Sequence, residues 1–169
     1  MTAMVFDIET AGLEALESRI LCVSIQIGDA TRTLSGEDEK ETLKNFWAII
    51  DTFKRYDQLV GYGIDSFDIP FLIKRSIICN VPISKKYKGL KIVDLRKSVN
   101  SFFVSYNKFD KGKLSDWANV LGIPVKTDDG GHMPQFYADK NWKAIEEHCE
   151  EDVAITNKLY ERLKEVNVI

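Results

Sequence analysis

Asp7 and Glu9 stand two positions apart in an otherwise apolar run, Met4-Val5-Phe6-Asp7-Ile8-Glu9. Side chains on a strand alternate faces, so the two carboxylates share one face while Phe6 and Ile8 point to the other, into the core. Like charges on neighbouring positions repel, and burying them without compensation costs several kcal/mol. A bound divalent cation removes the conflict. Two more acids, Asp68 and Asp152, lie far along the chain and are read with this pair as one metal site. Each has an ordinary explanation too: Asp68 precedes Pro70 closely enough to cap a helix, and Asp152 sits in an acidic run on a helix face. Asp7 and Glu9 are harder to explain away, because their strand is apolar on either side.

His148 lies four residues before Asp152, and positions i and i+4 of a helix lie one above the other. A general base there, with the imidazole's ordinary pKa of about 6.5, could take a proton from water held at the site. The alternative is a packing or surface histidine. His132, in the glycine-flanked stretch Gly130-Gly131-His132, is a weaker substitute.

Positioning these groups calls for strands first and helices later. Strands are expected over residues 3–8, 19–27 and 31–34, joined as an antiparallel meander with a Gly28-Asp29 turn. Ser35 or Asp38 caps a helix running to about Phe53, with Leu43, Phe46, Trp47, Ile50 and Phe53 on one face. A fourth strand, 58–61, is expected to run parallel to the first because a helix intervenes. A second helix starts near Pro70 and carries Phe71, Leu72 and Ile78 towards Asn80, followed by a strand at 91–95. A short helix, 114–121, is capped at Ser115 or beside Lys113 and stopped by Gly122. Residues 126–134 read as a loop. The last helix runs from about Trp142 to Val166, with Ile145, Cys149, Val153, Thr156, Tyr160 and Leu163 at helical spacing. Trp117 and Trp142 read as helix anchors. This order suits an α/β fold with one mixed five-stranded sheet, the first three strands antiparallel and the rest parallel, and helices on both faces.

At 169 residues the chain is expected to form one domain, 1–169. Its 44% hydrophobic and 29% charged residues are ordinary for a globular protein. No apolar run approaches the roughly 20 residues needed to span a bilayer, and no basic-then-apolar leader opens the chain. Cys22, Cys79 and Cys149 are odd in number and lack CxxC spacing, so they read as reduced thiols of a cytoplasmic protein. The net charge of −3 hides an uneven distribution. Nine basic residues between Lys85 and Lys113 face two aspartates, a local balance of +7 that leaves −10 elsewhere. Tyr87, Phe102, Phe103, Tyr106 and Phe109 lie in the same segment. Cations that follow a phosphate backbone and aromatics that stack on bases suit a single-strand groove; a solvated basic face over core aromatics is the plainer reading.

Phe6-Asp7-Ile8-Glu9-Thr10, Phe67-Asp68-Ile69-Pro70-Phe71-Leu72, the segment from Lys113 to Ile123, and His148-Cys149-Glu150-Glu151-Asp152-Val153 resemble the DEDD 3′–5′ exonucleases. The nearest resemblance is to the proofreading domain of B-family DNA polymerases and to stand-alone proteins built from it, and it covers nearly the whole chain in order. It implies a ribonuclease H-like fold and a metal site of Asp7, Glu9, Asp68 and Asp152 holding two divalent cations, Mg²⁺ or Mn²⁺. By this similarity Asp7 bridges both ions, Glu9 and Asp152 hold the one that activates water, and Asp68 acts on the other. Paired ions stabilise the attacking and leaving oxygens of phosphodiester hydrolysis, and both metals prefer carboxylate oxygens. The implied reaction releases nucleoside 5′-monophosphates from a single-stranded 3′ end, with DNA preferred over RNA and partners among replication or repair proteins. The family has a tyrosine class with three residues between Tyr and Asp, and a histidine class with four. Here a histidine stands at the tyrosine spacing. Thr10, Phe67 and Lys113 are expected to touch substrate, although Thr10 also suits a turn, and Phe67, like Phe71, suits the core.

Two other functions compete. A haloacid-dehalogenase-type phosphatase would use Asp7 as nucleophile, but it wants an aspartic acid where Glu9 stands and a later acidic motif that is missing. A nucleic-acid-binding module of the same fold, weak or inactive in catalysis, is the third reading.

Overall fold

The computed structural model describes residues 1–100, 112–124 and 131–169. Phe102, Phe103, Tyr106, Phe109, Lys108 and Lys111 of the basic and aromatic segment lie outside the described residues, as do residues 126–130 of the expected loop.

Five strands form one sheet: β1 (Ala3–Thr10), β2 (Ile20–Ile27), β3 (Ala30–Ser35), β4 (Gln58–Gly61) and β5 (Lys91–Asp94), in the order β3-β2-β1-β4-β5. The meander β1-β2-β3 is antiparallel, while β4 pairs in parallel with β1 and β5 with β4. The mixed architecture is the one expected. β1 lies at its centre because Met4, Phe6 and Ile8 load one face and Val5 the other, so both sides of the strand are covered.

Helices α1 (Glu39–Ile50) and α2 (Asp68–Ile78) cover the even-numbered face of β1. Their Leu43, Phe46, Trp47, Ile50, Phe71 and Leu72 are buried against Phe6, Ile8, Ile25 and Leu59. Asp38 caps α1 by accepting from Glu41 N at 3.1 Å, and the helix ends at Ile50, so the buried Phe53 belongs to the following turn. A 3₁₀ turn at Lys85–Gly89 and the short α3 (Leu95–Asn100) flank β5. α4 (Leu114–Leu121) starts with Lys113 at the cap position; Asp116 accepts from Lys113 N at 3.0 Å, and Gly122, at φ 66°, ends it. α5 (Met133–Ala138) replaces the end of the expected loop, with Pro134 in its first turn, where a missing N–H costs nothing.

α6 (Trp142–Glu165) crosses the odd-numbered face. Val153, Leu159, Tyr160 and Leu163 bury against Val5, Val60 and Val93, and Ile145 and Cys149 against Leu21 and Cys22. Toward the sheet edge the contact turns polar: Thr33 Oγ1 donates to Glu150 Oε1 at 2.5 Å, and Ser35 donates to Glu146. Among the described residues, no helix is long and apolar enough to cross a membrane.

Candidate functional site

Val5 spends the first half of β1's odd face on the core, and Asp7 and Glu9 occupy the second half beneath the first turns of α6. Asp7 pairs across the ladder with Ser24, and Glu9 with the buried Cys22. The register then slips: Thr10 faces Ile20, a bulge between Glu9 and Thr10 that bends the strand at the mouth of the site. Ile20 N donates to Glu39 Oε1 at 2.7 Å, and Arg75 holds that carboxylate at 2.7 and 2.9 Å while donating to Ala15 O at 3.0 Å. A largely buried ion pair therefore braces the segment that leaves β1.

Asp68 arrives from the other side. β4 pairs with β1 only through Val5 and then turns away, so Ile8 N has no strand partner there. Asp68 Oδ1 takes its place, accepting from Ile8 N at 3.3 Å. α2 opens at Asp68 itself, two residues before Pro70, with Phe67 at the cap position. The carboxylate thus faces β1 as the first residue of the helix. The loop delivering it bends at Gly63, φ 79°, and Asp94 at the end of β5 pins that loop by accepting from Gly63 N at 2.9 Å and Asp65 N at 3.3 Å.

α6 supplies the remaining wall. His148 and Asp152 share a face, as their spacing requires. His148 is 3% exposed, and its Nδ1 lies 2.7 Å from Glu9 Oε1 and 3.9 Å from Asp152 Oδ2. Nδ1 is directed at Glu9. Cys149 Sγ lies 3.5 Å from the backbone carbonyl of Asp7, so helix and strand meet closely.

Asp7, Glu9, Asp68, His148 and Asp152 line one cleft of about 490 Å³, as do Thr10 and Phe67. Thr10 Oγ1 donates to Gly12 O at 2.8 Å, the turn role, and Phe67 packs on Phe71 with ring centroids 5.4 Å apart. Lys113 heads α4 and is not among the lining residues, and His132 precedes α5 outside the lining as well. Arg96 and Tyr62 line the cleft and were not singled out. A signal existed for Arg96: it follows the last residues of a parallel strand, the end of a sheet where clefts open.

The carboxylates disturb one another. Burial, then the charges of Asp68, Asp152 and Glu9, push Asp7 well above the ordinary range. Asp68 is pushed up to about 7, chiefly by burial, against hydrogen bonds from its own N–H and from Ile8 that favour its charge. Asp152 rises to about 6, again by burial first, with His148 opposing and Glu9 and Glu151 adding to it. An oxygen-rich set held in this state fits a hard divalent cation, which supplies the missing positive charge. Glu9, His148 and Asp152 offer donor atoms that all lie within 4.8 Å of one another.

The RNase_H superfamily model matches residues 4–164. An uncharacterized protein of Methanocaldococcus jannaschii is 35% identical, over 97% of this chain and 88% of its own. A DNA polymerase of Archaeoglobus fulgidus is 30% identical over 94 residues, 53% of this chain and 12% of the polymerase. In fold, the chain is similar to part of the family B DNA polymerase of Pyrobaculum calidifontis, with a TM-score of 0.78 and 17% identity. That superposition covers 96% of this chain and 24% of the polymerase, so the similarity is to a fraction of each polymerase.

Proposed function

The chain belongs to the RNase_H superfamily, and from that membership we propose that it is a metal-dependent 3′–5′ exonuclease acting on single-stranded ends, DNA before RNA. The observation that carries this reading is the convergence of Asp7, Glu9, Asp68 and Asp152, from one strand and two helices, on a single cleft. Asp7, Glu9, Asp68 and Asp152 would hold two divalent cations, Mg²⁺ or Mn²⁺. Bound there, such ions lower the pKa of attacking water and stabilise charge on the leaving oxygen.

The chain's own residues do the rest. Asp7, at the middle of the acidic group, feels both Asp68 and Asp152 and is the natural shared ligand. Thr10 and Phe67, which line the cleft, would meet the terminal nucleotide, and Arg96, also in its lining, would meet its phosphates. Lys113 stands at the head of α4 as a more distant backbone contact. His148 closes the wall between Glu9 and Asp152. The whole of residues 1–169 would work as one nuclease domain, joined in the cell to replication or repair proteins.

The test is digestion of 5′-labelled single-stranded DNA, duplex DNA and RNA with Mg²⁺ or Mn²⁺. Single strands should shorten in one-nucleotide steps, releasing nucleoside 5′-monophosphates, and EDTA should stop the reaction reversibly. Internal fragments without a ladder would overturn the proposal. Tight single-strand binding without cleavage would favour an inactive binding module.

A further inference from the structure

We propose that the imidazole of His148 is itself a metal ligand. Glu9, His148 and Asp152 then form a mixed nitrogen–oxygen site that prefers a transition-metal dication to Mg²⁺. The inference rests on the metal centre of the proposed nuclease but goes beyond its four carboxylates.

Reach is the first argument. Nδ1 is attached directly to the ring carbon nearest the backbone, and here it places a donor against the carboxylate of Glu9. The ring is 3% exposed and pinned between two carboxylates, with Nδ1 at 2.7 Å from Glu9 Oε1 and 3.9 Å from Asp152 Oδ2. Octahedral bonds of about 2.1 Å put adjacent donors about 3 Å apart and opposite ones about 4.2 Å apart. The longer separation lies within that span and the shorter just below it, so the three groups need only small adjustments to close on one ion.

Satisfaction is the second argument. Nδ1 reaches Glu9, whereas Asp152 at 3.9 Å is beyond hydrogen-bond distance from it. A cation among the three donors serves both carboxylates and the imidazole together. It also draws Asp152, a neighbour of two other acidic side chains on α6, into the centre.

The donor set then sets the metal. Mg²⁺ holds its water and prefers oxygen, whereas imidazole suits later transition ions. A ligated Nδ1 takes no proton from water. Acid would still stop the enzyme, because protonating the ring removes a ligand just as it removes a base, so a pH profile alone does not separate the two roles.

Electron spin-echo spectroscopy of the full chain loaded with Mn²⁺ does. The expected result is nitrogen modulation from a directly bound imidazole. It should persist in His132→Asn and vanish in His148→Gln. In calorimetry His148→Gln should weaken Co²⁺ binding by about tenfold or more and Mg²⁺ binding by less than about twofold. Circular dichroism checks that the variant is folded; if it is not, ¹⁵N-histidine labelling of the His132→Asn chain must change the modulation frequency. Absence of nitrogen modulation, or equal weakening of both ions, overturns the inference. Strand trimming with Mn²⁺ but no nitrogen signal would leave the nuclease standing without this ligand, and a nitrogen signal without trimming would do the reverse.

Discussion

Asp7 illustrates how a side chain can harm the fold it serves. Burial and three neighbouring acids oppose its charge, so the metal-free protein carries the conflict as lost stability. Asp7→Asn removes one charge at nearly constant shape. It should cut strand trimming by at least about a thousandfold, a few kcal/mol of lost transition-state stabilisation. Without metal, its melting temperature should equal or exceed that of the parent, as differential scanning calorimetry will show. The pH response follows from the same residues. Asp68 and Asp152 ionise at about 7 and about 6 in the fold, above their ordinary value of 3.8. The unfolded chain therefore sheds these protons first, and their contribution to stability falls as pH rises from about 4 through about 7. A cation binds only the ionised form and offsets that loss, so Mn²⁺ should raise the melting temperature more at about pH 8 than at about pH 5. An equal rise at both would contradict the acidic metal site. That the four acids meet in one cleft was legible in the sequence, because Asp7 and Glu9 interrupt an apolar strand and the others stand in flanking motifs. The direction of the His148 ring was not, since a helical spacing specifies a face but not what stands opposite it.

Two packing devices hold the elements that aim these groups. Gly61 ends β4 where the chain must pass close to β1: a Cβ there would sit 2.0 Å from Ile64 Cγ2 and 3.0 Å from Phe6 O. Ile64 is fully buried, so Gly61→Ala should cost about 1–3 kcal/mol in urea unfolding and disturb the loop that carries Asp68. The Arg75–Glu39 pair behind the bulge is the second device. Burial alone would raise Glu39, but hydrogen bonds from Arg75 and Ile20 N outweigh it and pull the carboxyl below its ordinary value. Its contribution is present above about pH 4.5 and is lost as pH falls through the lowered value. Arg75→Ala strands a buried acid and should cost about 3–5 kcal/mol, measured by the same urea titration at neutral pH. The long elements were readable from pattern: β4, α4 and nearly all of α6 fall where apolar spacing put them. α3 and α5, six residues each, are too short to show a helical period. The bulge at Glu9 was invisible because it is a property of two strands together.

Across the whole molecule, the proposed activity requires an acidic cleft to attract an acidic polymer. Of the basic segment, Lys97 is engaged by Asp65 and Lys86 by the Asp51 carbonyl, while Arg96 lines the cleft. The groove expected from charge alone therefore narrows, among the described residues, to one cation at the site. In an Asp7→Asn background, Arg96→Ala should weaken single-strand binding by about tenfold and reduce the salt slope by roughly 0.7, whereas Lys86→Ala should do neither. Fluorescence anisotropy at several salt concentrations reads both. Membership of the RNase_H superfamily sets aside the phosphatase reading of Asp7 and Glu9. The reach of the site along the chain has one more effect. Glu9 and His148 touch across 139 residues, and Asp152 lies beyond both. During translation, the carboxylates of the first strand leave the ribosome long before their partners on the final helix. A nascent chain therefore holds no complete cleft until α6 docks, and the proposed nuclease would be inactive before that step.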